Sequence, residues 1–325
     1  MVDISVLEQV ESFRGSATPA ERTLQFKPIA LSDLPKIKSI VEKTAYQSCQ
    51  LSAGGLYCLS RKYGTEVCFS GDFLFVKQRR KRFGICYFMP IGVGNQTEAA
   101  SQLLQHHAEA HGGDLTLWGV ADDMVSDFRG ASSAFANAEL APDRNWAEYI
   151  HESKNLLTLS GKRLQPKRNA ANQFLRAHSR YEYEPISTSN MEEVWSFQQQ
   201  QLEAEKSSPL QELLEEENRS IELALAAWEP IGLTGGAIRI DGKIKAFTFG
   251  CPINASTFDI MFESADHSYN GIFQVIEQEL IRRELASFTH VNREEDLGIP
   301  GLRFAKQNLR PDILMMKYSA KISAK

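Results

Sequence analysis

The fold turns on one stretch near the C-terminus, "HVNREEDLGIPGLRFAKQNLRPDILMMKY", His290–Tyr318. Its apolar opening, "FTHVN" with the preceding residues, reads as a strand. "PGLRFAKQNL" reads as a helix with proline in its first turn, and "DILMMKYSA" reads as a last strand. Four charges, Arg293, Glu294, Glu295 and Asp296, close the first strand, and Arg303, Lys306 and Arg310 follow at helical spacing. An acidic turn beside a basic helical face is either a brace or a site.

The pattern continues outward on both sides. "TFDIMFESA" is a strand and "IFQVIEQELIRRELAS" a helix. "TGGAIRIDGKIKAFTFGCPI" is a hairpin turned at Asp241-Gly242. Upstream come a helix over Met191–Lys206 and a very acidic one over Ser208–Ala227, whose charges read as a wet amphipathic face. The N-terminal text is similarly mixed. "LSDLPKIKSIVEKTAY" and "TEAASQLLQHHAEAHG" are helices, "LTLWGV" a strand, and "EVCFSGDFLFVKQRRKRFGICYFMPIG" strands broken at Gly71 and at a basic turn. The reading is α+β in two halves, residues 24–150 and 151–325, each a mixed sheet with flanking helices, after a polar lead-in over residues 1–23.

Composition excludes several classes. The 325 residues are 42% hydrophobic and 24% charged, with a formal net charge of −5, which argues against a binder that wraps nucleic acid over its whole surface. The sequence has no apolar run of about 18 residues and no basic-then-apolar leader. The five cysteines form no C-x-x-C pair, so a reducing cytoplasm is expected and a metal is not. His107 and His111 stand four apart, but Ala108 occupies the place where a zinc protease helix carries glutamate. No G-x-S-x-G, P-loop or G-x-G-x-x-G motif occurs.

The positive candidates are few. In "SGKRLQPKRNAANQFLRAH" the helix is expected to start at Pro166 and to turn Ala171, Leu175 and His178 to one face. Lys167 and Arg168 then sit in the first turn, where the helix dipole disfavours cations. Either an external phosphate or carboxylate joins them there, or they turn outward or pair with Glu294 to Asp296. Asn169 and Asn172 share a neighbouring face. Lys77, Arg79, Arg80, Lys81 and Arg82 crowd one hairpin turn, either as a solvated loop or as a contact for RNA or an anionic membrane surface. Glu263 ends an apolar strand, where a carboxylate can act as general base, cap or ion-pair, and Gly271 would let the following backbone approach a ligand.

Together these segments resemble the phosphatidylglycerol lysyltransferase C-terminal domain family, which includes stand-alone bacterial members of unassigned function. Its pattern, roughly G-K-K-x-x-x-K-R-N-x-x-N-x-F, N-R-E-x-D-x-G-x-x-G-L-R-x-A-K and K-Y, is met at Gly161-Lys162, Lys167-Arg168-Asn169, Asn172, Phe174, Asn292 to Glu294, Asp296, Gly298, Gly301 to Arg303, Ala305-Lys306 and Lys317-Tyr318. Arg163 replaces the second lysine of the opening motif, Ser264 a lysine after the strand-end glutamate, and Phe304 the middle lysine of "GLRKAK". The resemblance implies two tandem GNAT-type acyltransferase domains with the cleft in the second. It also implies transfer of an aminoacyl group from aminoacyl-tRNA to a phospholipid headgroup or another hydroxyl or amine. Under it, Lys167, Arg168, Asn169, Asn172, Arg293, Glu294, Glu295, Asp296, Lys306 and Lys317 would bind substrate, the three acids either holding an ammonium or bracing Arg303 and Lys306; Glu263 would be the base, and Arg303 or a backbone N–H would steady the oxyanion. No resident cofactor is expected. The alternatives are an acyl-CoA N-acyltransferase and a non-catalytic ligand-binding member of the fold, and the expected location is the cytoplasm, peripheral to the membrane.

Overall fold

A computed structural model describes residues 24–135 and 138–323; the lead-in over residues 1–23 lies outside them. Among the described residues the strands are β1 (Lys27–Pro28), β2 (Glu66–Ser70), β3 (Phe73–Arg80), β4 (Gly84–Tyr87), β5 (Ile91–Gly92), β6 (Leu115–Ala121), β7 (Leu140–Glu152), β8 (Glu182–Pro185), β9 (Thr234–Ile240), β10 (Lys243–Pro252), β11 (Thr257–Ala265), β12 (His290–Glu295) and β13 (Ile313–Ile322). The α+β class holds, and the strands join in one mixed sheet flanked by helices. Its order is β1-β2-β3-β4-β6-β13-β7-β12-β11-β10-β9-β8, with β5 on β3.

The chain's last strand is the seam. β13 lies antiparallel to β6 on one side (Tyr318↔Val120) and to β7 on the other (Met315↔Glu148). β7 runs from 140 to 152 and pairs onward with β12, so hydrogen bonding passes unbroken through residue 150. Residues nearly 200 apart in sequence thereby become neighbours.

Helices cover the sheet through apolar stripes. The helix Ile272–Arg283 buries Ile272, Val275, Ile276, Leu280 and Ile281, spaced as one helical face. Each such side chain contributes about 1.5–3 kcal/mol relative to exposure. This helix packs with Phe174 and Ala171 of the helix Gln165–Ala177 over β9, β10 and β11. No helix among the described residues is long and apolar enough to cross a membrane.

One parallel and one antiparallel contact shape the centre. β11 and β12 pair only from Thr257↔His290 to Asp259↔Asn292, after which pairing stops and their ends frame a hollow. On the other edge β10 follows β11 with a bulge at Phe249/Gly250. A Cβ on Gly250 would lie 1.7 Å from the Asp259 carbonyl oxygen. Gly250→Ala is therefore expected to cost about 1–3 kcal/mol in a urea melt, as overpacking does. An unchanged midpoint would mean that the bulge relaxes freely.

Candidate functional site

Beyond the point where β11 and β12 part lies a cavity of about 750 Å³. Its floor comes from the two strand ends, with Glu263, Arg293, Glu294 and Glu295. The helix Gln211–Ala226 roofs it with Leu213 and Leu214, and the far wall belongs to the N-terminal half through Cys49, Arg80, Trp118 and Trp146. The volume suits a small ligand or a substrate end group.

A kink in β12 aims the acids. Asn292 Oδ1 accepts from the Glu294 backbone N–H at 2.8 Å, an Asx turn, and the register with β7 slips between Asn292 and Glu295. Glu294 takes φ +55°, left-handed backbone that a non-glycine residue adopts at a cost of about 1–3 kcal/mol. The bulge turns Glu294 into the cavity. Lys306 clamps it, donating to the carbonyl oxygens of Arg293 and, at 2.7 Å, of Glu295.

Electrostatically the floor is short of positive charge. Arg293 is shared between Glu263 (Nη2–Oε1, 3.0 Å) and Glu277 (Nε–Oε1, 2.9 Å), and Glu263 Oε2 is buried with no partner among the described residues. Burial pushes the Glu277 carboxyl up to about 7 and raises Glu263 too, although Arg293 opposes both shifts. Burial, with Asp259 and Glu295 nearby, raises Glu294 well above the usual carboxylate range. Asp259, fully buried behind it, is raised for the same reason. Its Oδ2 accepts from Ser52 Oγ at 2.8 Å, and its Oδ1 has no partner among the described residues. Cys49 Sγ and oxygens of Asp259 and Glu294 fall within 4.8 Å of one another, a cluster able to gather a cation.

Beneath this floor Lys317, 1% exposed, pairs with Glu148 (2.5 Å) and Glu295. Glu148 also accepts from Ser48 Oγ at 2.6 Å and from the Cys49 N–H at 2.9 Å. Against the effect of burial, Lys317 holds Glu295 below its ordinary range. This pair ties the first half of the chain to the last strand.

The turn's other acid is a brace. Asp296 is fully buried and accepts from Arg303 Nε (2.8 Å) and Nη2 (2.7 Å), Arg144 Nη1 (2.9 Å), Tyr149 Oη (2.6 Å) and the Gly298 N–H (2.9 Å). Burial raises its pKa, but these donors outweigh it and hold the carboxyl well below the usual range. Arg303 also donates to Asn145 Oδ1 at 2.8 Å. Arg303 and Asp296 thus lie outside the cavity lining, in the bracing arrangement that was the alternative to a site role.

Of the other expected site residues, Lys167, Glu263, Arg293, Glu294, Glu295 and Lys306 meet at the cavity. Lys317 lies under it. The helix Gln165–Ala177 starts one residue before the expected Pro166, which sits in its first turn, and its core face is Ala171 and Phe174, with Leu175 37% exposed. Arg168 turns back to the carbonyl oxygens of Leu159 and Gly161, and Asn169 and Asn172 are exposed, so the paired Lys167/Arg168 anion site is reduced to Lys167. Gly271 approaches protein rather than ligand, since a Cβ there would lie 2.2 Å from the Ala170 carbonyl oxygen. The basic hairpin is also redistributed. Lys77 pairs with Glu66 (2.6 Å), Arg80 is buried, and only Arg79, Lys81 and Arg82 are exposed, Arg82 pairing with Asp143.

Sequence reasoning passed over Trp118, Trp146, Cys49 and Glu277, and it read Arg80 as part of a basic hairpin turn and the roof helix as a solvent face rather than as cavity walls. Two signals existed. Leu74, Val76, Gln78 and Arg80 alternate along β3, which places Arg80 on the inward face, and all four are buried. Glu277 stands four residues from both Phe273 and Ile281, between partners on its helix.

The model of the family described as phosphatidylglycerol lysyltransferase, C-terminal, matches residues 42–321. A conserved protein of unknown function from Bacteroides thetaiotaomicron superposes with a TM-score of 0.85 at 33% identity, covering 92% of this chain and 100% of that one. The C-terminal domain of a putative lysylphosphatidylglycerol synthetase from Agrobacterium fabrum shares the fold, with a TM-score of 0.60 at 16% identity over 89% and 91% of the two chains. An uncharacterised protein of Mycoplasmoides gallisepticum is 25% identical over 180 residues, and the match spans 54% of this chain and 56% of that protein.

Proposed function

The chain belongs to the phosphatidylglycerol lysyltransferase C-terminal family, and on that premise we propose that its cavity transfers an aminoacyl group from aminoacyl-tRNA to a hydroxyl or amine acceptor such as a phospholipid headgroup. The observation that carries this reading is the surplus of buried carboxyl groups at the cavity floor. Buried acids without countercharge take up protons, and they bind a cation in their place. The α-ammonium of an aminoacyl ester has the right charge and size for the Glu294, Asp259 and Cys49 cluster.

In this reading Glu263, with its raised pKa and free Oε2, takes the proton from the acceptor hydroxyl. The acceptor oxygen bonds to the ester carbonyl carbon. The bond from that carbon to the tRNA 3′ oxygen then breaks, and the proton passes from Glu263 to the departing oxygen. Lys306 lines the cavity and Arg303 does not; two of the three Lys306 N–H donors hold carbonyl oxygens and one is left for a developing oxyanion. An acyl-CoA donor gains no support at the start of the helix Ile272–Arg283, where Gly271 is pressed against Ala170. Any contact with an anionic membrane surface falls to Arg79, Lys81 and Arg82.

Calorimetry with lysinamide, which carries the ammonium without the tRNA, tests this reading against acetyl-CoA. Lysinamide is expected to bind with release of protons, because burial raises the carboxyl groups of the cluster and the ammonium favours their ionised form. Its affinity should therefore rise with pH as the Glu294 and Asp259 carboxyls, which burial raises well above their usual range, ionise. Binding of acetyl-CoA alone, or lysinamide binding without proton release, would overturn the assignment.

A further inference from the structure

We propose that the wall opposite the acids is a phosphoryl-binding subsite in which Arg80, backed by Trp118 and Tyr63 and helped by Lys62, grips a phosphate ester of one substrate. Arg80 closes β3, where the alternation of the strand carries it inward, and it is only 8% exposed. Its guanidinium carbon lies 3.3 Å from the Trp118 ring centroid, 3.9 Å from that of Tyr63 and 5.2 Å from that of Trp146, with Trp118 and Trp146 edge to face. The neutral contacts are these rings and Gln78 Oε1, which accepts from Nε at 3.1 Å.

No carboxylate pairs with Arg80 among the described residues. Glu217 of the roof helix and Glu295 line the same cavity, but Glu295 is engaged by Lys317. A desolvated cation normally requires a countercharge, and aromatic faces supply only part of one. The guanidinium presents five N–H donors in a planar fork, of which Gln78 uses one, and Arg80 lines the cavity. That geometry matches two oxygens of a phosphate held side by side, in a pocket whose apolar walls strengthen the attraction. Lys62, which also lines the cavity and makes no ion pair among the described residues, adds a second positive charge. Burial lowers the Arg80 pKa, as expected for a cation short of countercharge.

The cavity is therefore dipolar, with an ammonium site at the β11/β12 ends and a phosphate site at the β3/β6 wall. The transfer reading bears only on which substrate brings the phosphate; the subsite stands on the geometry of Arg80. Calorimetry of the full chain with glycerophosphoglycerol, adenosine 5′-monophosphate and inorganic phosphate separates the sources. A preference for the first indicates a lipid headgroup, for the second a nucleic-acid end, and equal binding of all three a free phosphate.

Arg80→Gln is expected to weaken the phosphate ligand about ten- to a hundredfold, the range of a charge-assisted hydrogen-bonded contact. Arg80→Lys should fall between, and lysinamide affinity should hold in both. Absence of phosphate binding by the wild-type chain, or equal affinity in Arg80→Gln, overturns the subsite. Should Arg80→Gln fail to fold, wild-type crystals soaked in tungstate decide: anomalous density within hydrogen-bond distance of Arg80 supports it, and density elsewhere or none overturns it. Phosphate binding that depends on Arg80 while lysinamide fails to bind would remove the aminoacyl reading and leave the subsite standing.

Discussion

Replacing Lys317 with methionine is expected to lower the unfolding free energy by about 3–5 kcal/mol, the cost of removing one partner from a buried ion pair. Methionine keeps most of the side-chain volume, so the loss is electrostatic rather than a cavity effect. Glu148 and Glu295 would then face each other without their shared cation, beside Asp259 and Glu294, whose carboxyls burial already pushes well above the usual range. The strain falls on the seam, because Glu148 lies on β7, Lys317 on β13 and Cys49 in the first half. Urea unfolding measures the loss, and adding Glu148→Gln should recover part of it, since the two sites are coupled. A loss under about 1 kcal/mol would show that water or local rearrangement already screens the pair.

Glu263→Gln is expected to slow aminoacyl transfer roughly 100- to 10,000-fold, the usual contribution of a positioned general base. The amide retains the shape and can still accept from Arg293, so the fold and the affinity for lysinamide should change little. That split between rate and binding separates a base from a structural carboxylate. A Glu263 that serves only to brace Arg293 would lose affinity and stability with the rate close to wild type. A raised pKa also places the wild-type pH–rate limb above that of an ordinary glutamate, and the limb should vanish in the variant.

Much of the fold was legible from neighbouring residues. Apolar runs bounded by turn residues marked β3, β10 and β11, and the Asp241-Gly242 turn adopts the two positive φ values that its sequence implies. The long charged motif around Asn292 to Lys306 identified the family, and Pro166 marked the start of its helix. The helix wheel was less exact: it placed Leu175 inward, where Phe174 carries the core. A helix stripe is set by the surface it meets, and that surface was not in the local sequence.

The question of brace or site was beyond the sequence, because it has a different answer for each residue of the same turn. Glu294 and Asp296 are two apart and equally acidic. One is turned by a bulge into the cavity, and the other is sealed under Arg144, Arg303 and Tyr149. Arg80, one of five cations in six residues, became the buried one through strand register and the position of Trp118.

What the sequence determined by itself was the kind of each element, the charged skeleton and the kinship. Those follow from spacing over a few residues, where backbone geometry repeats. Which charges meet, which stay unpaired and where the hollow lies depended on β13 inserting between β6 and β7. Coulomb energies act through space, not along the chain, so Glu148 and Lys317 acquired their meaning only once the sheet brought them together.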